Sequence, residues 1–308
     1  MVFLEKLFKK HEDYTEQITK ARQWILEADA IAVYIGSGLS AAGGLDDKKS
    51  RLVKEYFRDY YRMGYRSLKE LQEMYAHMTE QNAKAYWGYW ARYIKEIAYQ
   101  FELSNGYKDL LRLMRNREYF ICTTNIDGQV QKAGFEANRI WSLKGDCRFL
   151  KCSQACCPKA YESKELLDGI IKSMGGNLEV QANKIPRCPH CGMYLIPDVE
   201  MDCLVESIGD SQGQLEAYKR FIEKHKNEKI VLLELGIESR DLIQMASRDD
   251  RVWGETSCVQ LVKMNNSKDD LKGESYNESA NKLKDEMISI KMDLEEAMSQ
   301  LASGIISM

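Results

Sequence analysis

Apolar runs along the chain each end in small or polar residues, which is the pattern of buried strands in an α/β protein. Such runs stay apolar at successive positions because a strand in a parallel sheet is covered on both faces. We therefore predict an α/β fold built on a parallel sheet. The predicted strands are residues 30–35, 118–124, 140–143, 229–235 and 257–264.

Two stretches in the first third of the chain show the three-to-four-residue spacing of apolar positions that predicts helices. Residues 3–28 form one amphipathic pattern, and residues 47–106 form a charged and aromatic helical insert. The aromatic cluster at residues 86–90 is interpreted as a packing core. A platform for stacking bases is the weaker alternative, because no basic stripe accompanies the cluster.

The C-terminal segment, residues 267–308, carries a further helical pattern. Its apolar residues alternate steps of four and three, which is typical of a narrow coiled-coil seam. The seam docks either on the body of the protein or on a partner chain, where it would mediate self-association. We expect docking on the body, because the seam is shorter than three heptads. It consists of Leu283, Met287, Ile290, Leu294, Ala297 and Leu301.

Composition narrows the function classes. The chain has 308 residues, is 44% hydrophobic and 30% charged, and carries a net charge of -3, so no basic field favours nucleic acid. No apolar run is long enough to span a bilayer, and charges interrupt the apolar residues of the N-terminus, which argues against a signal peptide. Nine cysteines without such a signal favour a reducing compartment, and we expect a cytoplasmic protein.

Two short cysteine pairs are the strongest chemical signal. Cys152 and Cys156 form one pair, and Cys188 and Cys191 form the other about thirty residues later, a spacing that suits one tetrahedral zinc. Four thiolates leave no open position for water, so the predicted zinc is structural. Cys157 is the alternative ligand to Cys156, and four unrelated buried cysteines are the alternative to a metal site. The other cysteines, Cys122, Cys147, Cys203 and Cys258 among them, are interpreted as core residues.

Polar and glycine residues follow the predicted strands where an open α/β sheet builds its binding site. A glycine-rich turn, residues 36–44, follows the first strand, and its backbone N–H groups are expected to approach a pyrophosphate. Its spacing is not G-x-G-x-x-G, so a turn without a ligand is the alternative. Asn125 and Asp127 follow the second strand and are predicted to act in the site, although both are also good helix N-caps.

These motifs, taken in order, resemble the sirtuin family. The match rests on the turn at residues 36–44, the Thr-Thr-Asn-Ile-Asp-Gly stretch at 123–128 and the cysteine pairs. The resemblance implies a Rossmann-type NAD-binding domain, a small zinc-binding domain and NAD consumed as a substrate between them. By this likeness the NAD-binding residues are Gly36, Ser37, Gly38, Ser40, Gly44, Thr124, Asn125, Asp127, Gly236 and Asn265.

Several features resemble the macrodomain-linked branch, called class M. These include Leu-Ser-Ala-Ala at 39–42, Gln-Lys-Ala-Gly-Phe at 131–135 and Leu-Glu-Leu-Gly at 233–236. Members of that branch are protein mono-ADP-ribosyltransferases acting on a lipoyl-carrier protein. The expected activity is therefore NAD-dependent ADP-ribosyl transfer to an acceptor protein, with a lipoyl-carrier protein as the candidate. An NAD-dependent deacylase and a degenerate NAD- or ADP-ribose-binding protein are the alternatives.

Two departures from typical sirtuins concern the chemistry. Residues 46–49 replace Pro-Asp-Phe-Arg, and Lys144 stands where the family has its catalytic histidine and the branch has glutamine. A lysine of pKa ~10.4 would need a depression of about three units, on the order of 4 kcal/mol, to serve as a base at neutral pH. Lys144 is either a catalytic residue beside Asn125 and Asp127 or a surface or phosphate-facing cation. ADP-ribosyl transfer demands less of this position than deacylation.

The resulting domain organisation has four parts. Residues 1–46, 107–147 and 199–266 are predicted to form the NAD-binding domain, and residues 47–106 the helical insert. Residues 148–198 are predicted to form the zinc-binding domain, and residues 267–308 a helical C-terminal extension.

Overall fold

A six-stranded parallel sheet forms the centre of the protein in the computed structural model, which describes residues 14–200, 213–237, 259–266 and 286–303. Its strands are β1 (Ala30–Ile35), β2 (Tyr119–Thr123), β3 (Ile140–Ser142), β7 (Ile230–Leu235), β8 (Val259–Met264) and β9 (Met287–Ile290). They lie in the order β3-β2-β1-β7-β8-β9. From β1 the chain builds the sheet outward in one direction through β2 and β3, and from β7 it builds outward in the other direction. Open α/β sheets bind their ligands at such a reversal, beside the carboxyl ends of the strands.

Helices cover both faces of this sheet. Helices α1 (Thr15–Glu27), α7 (Asn105–Met114) and α11 (Leu294–Ala302) pack on one face, and α10 (Gln214–His225) packs on the other. All six residues of β1 and of β7 are buried, as continuous apolar runs in a parallel sheet require.

The helical insert precedes α7. It contains α3 (Ser50–Tyr56), α4 (Arg58–Arg62), α5 (Leu68–Met74) and α6 (Ala83–Tyr93), and α6 continues into a π-helix at Ile94–Gln100. Residues 86–90 are all buried in a second apolar cluster, which confirms their prediction as a packing core. The short helix α2 (Ser37–Ala42) lies between β1 and this insert, and α8 (Gln129–Ala133) follows β2.

A separate antiparallel sheet carries the cysteine pairs. Its strands are β4 (Gly145–Cys152), β5 (Tyr161–Glu162) and β6 (Leu195–Val199), in the order β5-β4-β6, and α9 (Lys164–Lys172) follows β5. The indole Nε1 of Trp87 donates to the carbonyl of Leu195 at 3.2 Å, which ties the helical insert to this sheet. Strand β4 begins at Gly145, so the predicted boundary at residue 148 falls inside it.

The C-terminal segment differs from its prediction. Residues 287–290 are not helical but form strand β9, which pairs in parallel with β8. Ile288 and Ile290 are buried while Met287 is exposed, which is the two-residue alternation of a strand. The prediction used only the apolar residues Met287 and Ile290, whose spacing of three also fits a helix. Residues 294–302 do form a helix, α11.

Docking of α11 on the body is confirmed. Leu294, Ala297 and Leu301 are buried against the rest of the chain, so these three residues of the seam pack within the protein. The guanidinium of Arg22, in α1, donates from Nε to the carbonyl of Leu301 at 3.1 Å. The two ends of the described chain are therefore joined on one face of the sheet.

The other predicted elements are found where the structure describes them. The runs at 30–35, 118–124, 140–143 and 229–235 are strands, while residues 3–13, 257–258 and 283 lie outside the described ranges. Cys122 and Cys147 are buried as predicted, and Cys203 and Cys258 lie outside those ranges. Within the described residues, no helix has the length and apolar character needed to cross a membrane.

Candidate functional site

The glycine-rich turn packs directly against the end of β7. The N–H of Gly36 donates to the carbonyl of Leu235, and the N–H of Gly38 donates to that of Gly236, both at 2.9 Å. A Cβ on Gly36 would lie 2.5 Å from the Gly236 oxygen, and one on Gly38 would lie 2.6 Å from the Gly236 Cα. These glycines therefore permit a close backbone contact. The amides of Gly36 and Gly38 are engaged within the protein, and the approach of this turn's backbone to a pyrophosphate stays a prediction.

A side chain at Gly36 should disrupt this contact. We expect Gly36→Val to lose NAD binding, at least a hundredfold, and to lower the free energy of unfolding by about 1–3 kcal/mol, because Gly236 must move aside. Isothermal calorimetry with NAD and thermal unfolding measure the two effects. Gly169→Ala, in α9, is the matched control, because no atom lies within 4 Å of its added Cβ. A folded Gly36→Val protein with unchanged NAD affinity would contradict the placement of this turn in the site.

Asn125, just after β2, is held by a group of hydrogen bonds. Its Nδ2 is within hydrogen-bonding distance of three oxygens: the carbonyl of Gly36 at 3.0 Å, the Tyr107 hydroxyl at 3.2 Å and the Ser40 hydroxyl at 3.3 Å. Its backbone N–H donates to Thr123 Oγ1 at 3.1 Å. The Oδ1 atom has no hydrogen-bond partner in the described part of the chain. The amide is thus held by its nitrogen, with its acceptor oxygen left for a ligand or water.

Asp127 is buried beneath Asn125 and bridges two elements. Its Oδ2 accepts from the Ser40 hydroxyl at 2.6 Å, and its Oδ1 accepts from the N–H of Gln129 at 2.9 Å. One oxygen thus accepts from the first residue of α8, although Gly128 and not Asp127 stands at the N-cap position, and the other accepts from the glycine-rich turn. Burial raises the pKa of this carboxyl above its usual range, and the hydrogen bond from Ser40 opposes that shift.

Two neighbours of this network were missed in the sequence. Tyr107, in α7, is fully buried, and its hydroxyl lies 2.8 Å from Ser40 Oγ. Burial raises the pKa of Tyr107, so the hydroxyl stays neutral and can donate. Asp47, in the stretch that departs from the sirtuin pattern, is close enough for its charge to raise the pKa of Asp127. Tyr107 belongs to an ordinary amphipathic helix pattern, so no local motif marks it.

The remaining predicted NAD-binding residues lie at the ends of β1, β2, β7 and β8 or next to α2. Gly236 adopts φ 62°, and its N–H donates to the carbonyl of Met264 at 2.9 Å. The Nδ2 of Asn265 donates to the carbonyl of Ile237 at 2.7 Å, which holds the ends of β7 and β8 together. Ser37 begins α2, Gly44 follows that helix with φ 92°, and Thr124 is buried at the end of β2.

Lys144 follows β3 at the same edge of the sheet. The N–H of Leu143 donates to the carbonyl of Thr123 at 2.8 Å, so Lys144 leaves the sheet beside the strand that carries Asn125. Its own carbonyl accepts from the N–H of Glu200 at 3.0 Å. Within the described residues, its half-exposed side chain forms no ion pair and no hydrogen bond to Asn125 or Asp127. Both interpretations of Lys144 remain compatible with this position.

The four predicted zinc ligands lie together. All four Sγ atoms are within 4.8 Å of one another, with Cys152–Cys191 at 3.5 Å and Cys156–Cys188 at 3.6 Å. Sulfurs at about 2.3 Å from a tetrahedral zinc are about 3.8 Å apart, so the cluster fits that ion. Cys157 is outside the cluster, with its Sγ 3.9 Å from that of Cys156.

Backbone geometry prepares the second cysteine pair for a metal. The N–H groups of Cys191 and His190 point at the Cys188 sulfur and lower the pKa of that thiol to about 6. A deprotonated sulfur is the form that binds zinc. The knuckle turn itself is closed by the N–H of Gly192, which donates to the carbonyl of Cys188 at 2.8 Å.

Comparison with known sequences places these features in context. The model of the Sir2 family matches residues 36–220, more than half of the chain. A "Protein ADP-ribosyltransferase" of Staphylococcus aureus is 28% identical over 229 residues, which cover 73% of this chain and 70% of that protein. A "NAD-dependent protein deacetylase" of Bacillus cereus is 25% identical over 220 residues, covering 68% and 73%.

A fungal relative is much longer than this chain. The "Probable bifunctional ADP-ribose hydrolase/ADP-ribosyltransferase" of Fusarium oxysporum f. sp. cubense is 28% identical over 230 residues. The match covers 71% of this chain but only 37% of that protein.

Solved structures share the fold at low sequence identity. A Sir2 homologue in complex with NAD has a TM-score of 0.59 and 16% identity, covering 96% of this chain and 94% of that one. A Sir2 protein bound to a propionylated peptide has a TM-score of 0.57 and 16% identity, covering 94% and 99%. At this identity the likeness concerns the fold alone.

Proposed function

Since the chain belongs to the Sir2 family, we propose that it is an NAD-dependent protein mono-ADP-ribosyltransferase. The observation that carries the proposal is the pairing of a retained ribose-site network with a lysine at the histidine position. Asn125 is fixed through its Nδ2 by Gly36 and Tyr107, while an alkylamine stands at position 144 in place of an imidazole. Relatives named as protein ADP-ribosyltransferases support the same activity.

NAD, the substrate, would supply the ADP-ribosyl group, with nicotinamide as the leaving group. In this proposal the Oδ1 of Asn125 accepts a hydrogen bond from a ribose hydroxyl or a site water, because it is the acceptor left open by the network. The Asp127 carboxylate stabilises the positive charge that develops on the ribose as the glycosidic bond breaks. Because Asp127 is buried, water screens this attraction only weakly. Ser40 links the two side chains and fixes their separation.

Lys144 bears on the choice between transfer and deacylation. Deacylation needs a base near the ribose hydroxyls, and a protonated lysine has no lone pair to accept a proton. Transfer needs mainly a positioned NAD and an acceptor nucleophile. Deacylation is the second candidate, because deacetylases are among the relatives. A protein that binds NAD without turnover is the third candidate.

The acceptor is proposed to be a lipoyl-carrier protein. This finer assignment rests on the likeness of residues 39–42, 131–135 and 233–236 to the macrodomain-linked branch. The chemistry of the cleft alone does not select among acceptor proteins. A structural zinc held by Cys152, Cys156, Cys188 and Cys191 completes the proposal and takes no part in the transfer.

The reaction is tested with NAD labelled in its ADP-ribosyl group and a lipoylated carrier protein. We expect labelling of the carrier protein, a loss of about a hundredfold or more for Asn125→Ala, and little change for Lys144→Ala. Acyl release from acylated lysine peptides should be negligible, and Lys144→His is expected to raise it. Robust deacylation by the unaltered protein would contradict the proposal. NAD binding without labelling or nicotinamide release would favour the binding-only alternative.

A further inference from the structure

Helix α7, which carries Tyr107, lacks an N-terminal cap of its own. Ser104 stands at its N-cap position, but the Ser104 side chain makes no capping hydrogen bond, and its buried Oγ has no partner. The first turn of α7 also contains no acidic residue. The first amides of a helix need acceptors, and the positive end of its dipole favours a nearby carboxylate.

A carboxylate from the other end of the chain supplies that acceptor. Glu295 Oε1 accepts from the N–H of Gly106 at 3.2 Å, in the first turn of α7. Glu295 is itself held at the start of α11, where Asp293 caps the helix by accepting from the N–H of Glu295 at 3.0 Å. The carboxylate is therefore placed by a rigid element rather than by a flexible loop.

The same carboxylate lies near the glycine-rich turn. Glu295 Oε1 lies 3.3 Å from the position that a Cβ on Gly43, just after α2, would occupy. A Cβ on Gly106 would lie 3.0 Å from Leu39 Cδ1, which shows how closely α7 and α2 approach. Glu295 thus bonds to α7 close to the end of α2, and the separation of these two helices sets the distance between the hydroxyls of Tyr107 and Ser40.

We propose that Glu295 is a positioning residue for the NAD site, acting through Gly106 and Tyr107 on Asn125. This inference rests on the proposed function. Tyr107 follows Gly106 directly, and its hydroxyl lies within hydrogen-bonding distance of both Ser40 and Asn125. Loss of the carboxylate releases the first turn of α7 and lets the Tyr107 hydroxyl drift from Asn125. Glu295 lies in α11, beyond the residues 36–220 that the model of the Sir2 family matches.

The test measures NAD affinity by calorimetry, which requires no acceptor protein. Glu295→Ala is expected to weaken NAD binding about tenfold, the equivalent of losing one helix cap. Glu295→Gln keeps an acceptor oxygen and should recover most of that loss. Glu296→Ala is the matched control, because among the described residues the exposed Glu296 side chain accepts a hydrogen bond only from Gln300 of the same helix.

A purely structural role is separated from a positioning role by combining Glu295→Ala with Tyr107→Phe. If Glu295 acts through the tyrosine hydroxyl, the double variant binds NAD no more weakly than Tyr107→Phe alone, at equal helix content by circular dichroism. Additive losses, or a Glu295→Ala protein with unchanged affinity, would overturn this inference and leave the proposed function intact. Failure of the unaltered protein to bind NAD would overturn both.

Discussion

Asp127→Asn is expected to remove most transferase activity, a loss of about a hundredfold or more, while leaving the protein at least as stable as before. The asparagine keeps the shape and the acceptor oxygen for the N–H of Gln129, and its amide can donate to Ser40, whose hydroxyl both donates and accepts. What it lacks is the negative charge. Steady-state rates of ADP-ribosyl transfer and urea unfolding, measured on the same preparation, give the two quantities.

The stability effect should depend on pH in a defined direction. Burial raises the pKa of Asp127 in the folded protein, so the folded state binds this proton more tightly than the unfolded state does. Its contribution to stability is complete below the unfolded pKa, about 3.9, and is lost as pH rises through the raised folded pKa. Asp127→Asn should therefore match the unaltered protein at acid pH and exceed it in stability at neutral pH. Each tenfold difference in proton affinity between the folded and unfolded states corresponds to about 1.4 kcal/mol.

Asp29→Asn is the control for this substitution. Asp29 also accepts a backbone N–H, that of Lys229 at 3.0 Å, but it lies at the opposite edge of the sheet. The Asp29→Asn substitution should leave the transfer rate unchanged. Full activity in Asp127→Asn would remove the carboxylate from the proposed mechanism, and a strong loss of stability at neutral pH would show that the charge is compensated.

Loss of the cysteine cluster should have the largest effect on stability. Structural zinc contributes on the order of 10 kcal/mol to the folding of a small domain, so Cys188→Ser should release the metal and unfold the antiparallel sheet. Because Trp87 donates to Leu195 of β6, the helical insert should loosen with it. Metal analysis by mass spectrometry and tryptophan fluorescence follow the two events.

Separate substitution of Cys156 and Cys157 identifies the fourth ligand. Cys156→Ser should lose zinc, whereas Cys157→Ser should retain one zinc per chain, because only the Cys156 sulfur belongs to the cluster. A folded unaltered protein without metal, or loss of zinc on changing Cys157 alone, would refute the assignment.

The parts of the fold that local sequence determines were predicted well. The strands at 30–35 and 229–235 are apolar throughout, which the burial of a central parallel strand on both faces demands. The cysteine pairs were recognisable because a tetrahedral site restricts both ligand type and spacing. Asn125 and Asp127 were recognisable because they follow a buried strand directly.

The parts that depend on distant contacts were not predicted. Strand β9 is only four residues long, and its pairing with β8 decides its conformation more than its own sequence does. Tyr107 and Glu295 belong to unremarkable helix patterns, and their roles arise from contacts with Ser40 and Gly106 far along the chain. The contact of Gly36 and Gly38 with Gly236 was not predicted for the same reason, since Gly236 follows a different strand.

The contact between Arg22 and Leu301 has a consequence for how the protein is made. These residues are 279 positions apart, and the central strands β1 and β7 are paired across about two hundred. Closing such long segments slows folding, and a nascent chain cannot complete the sheet until β7, β8 and β9 have left the ribosome. A chain ending before residue 286 would leave β8 as an unpaired edge, open to association with other strands.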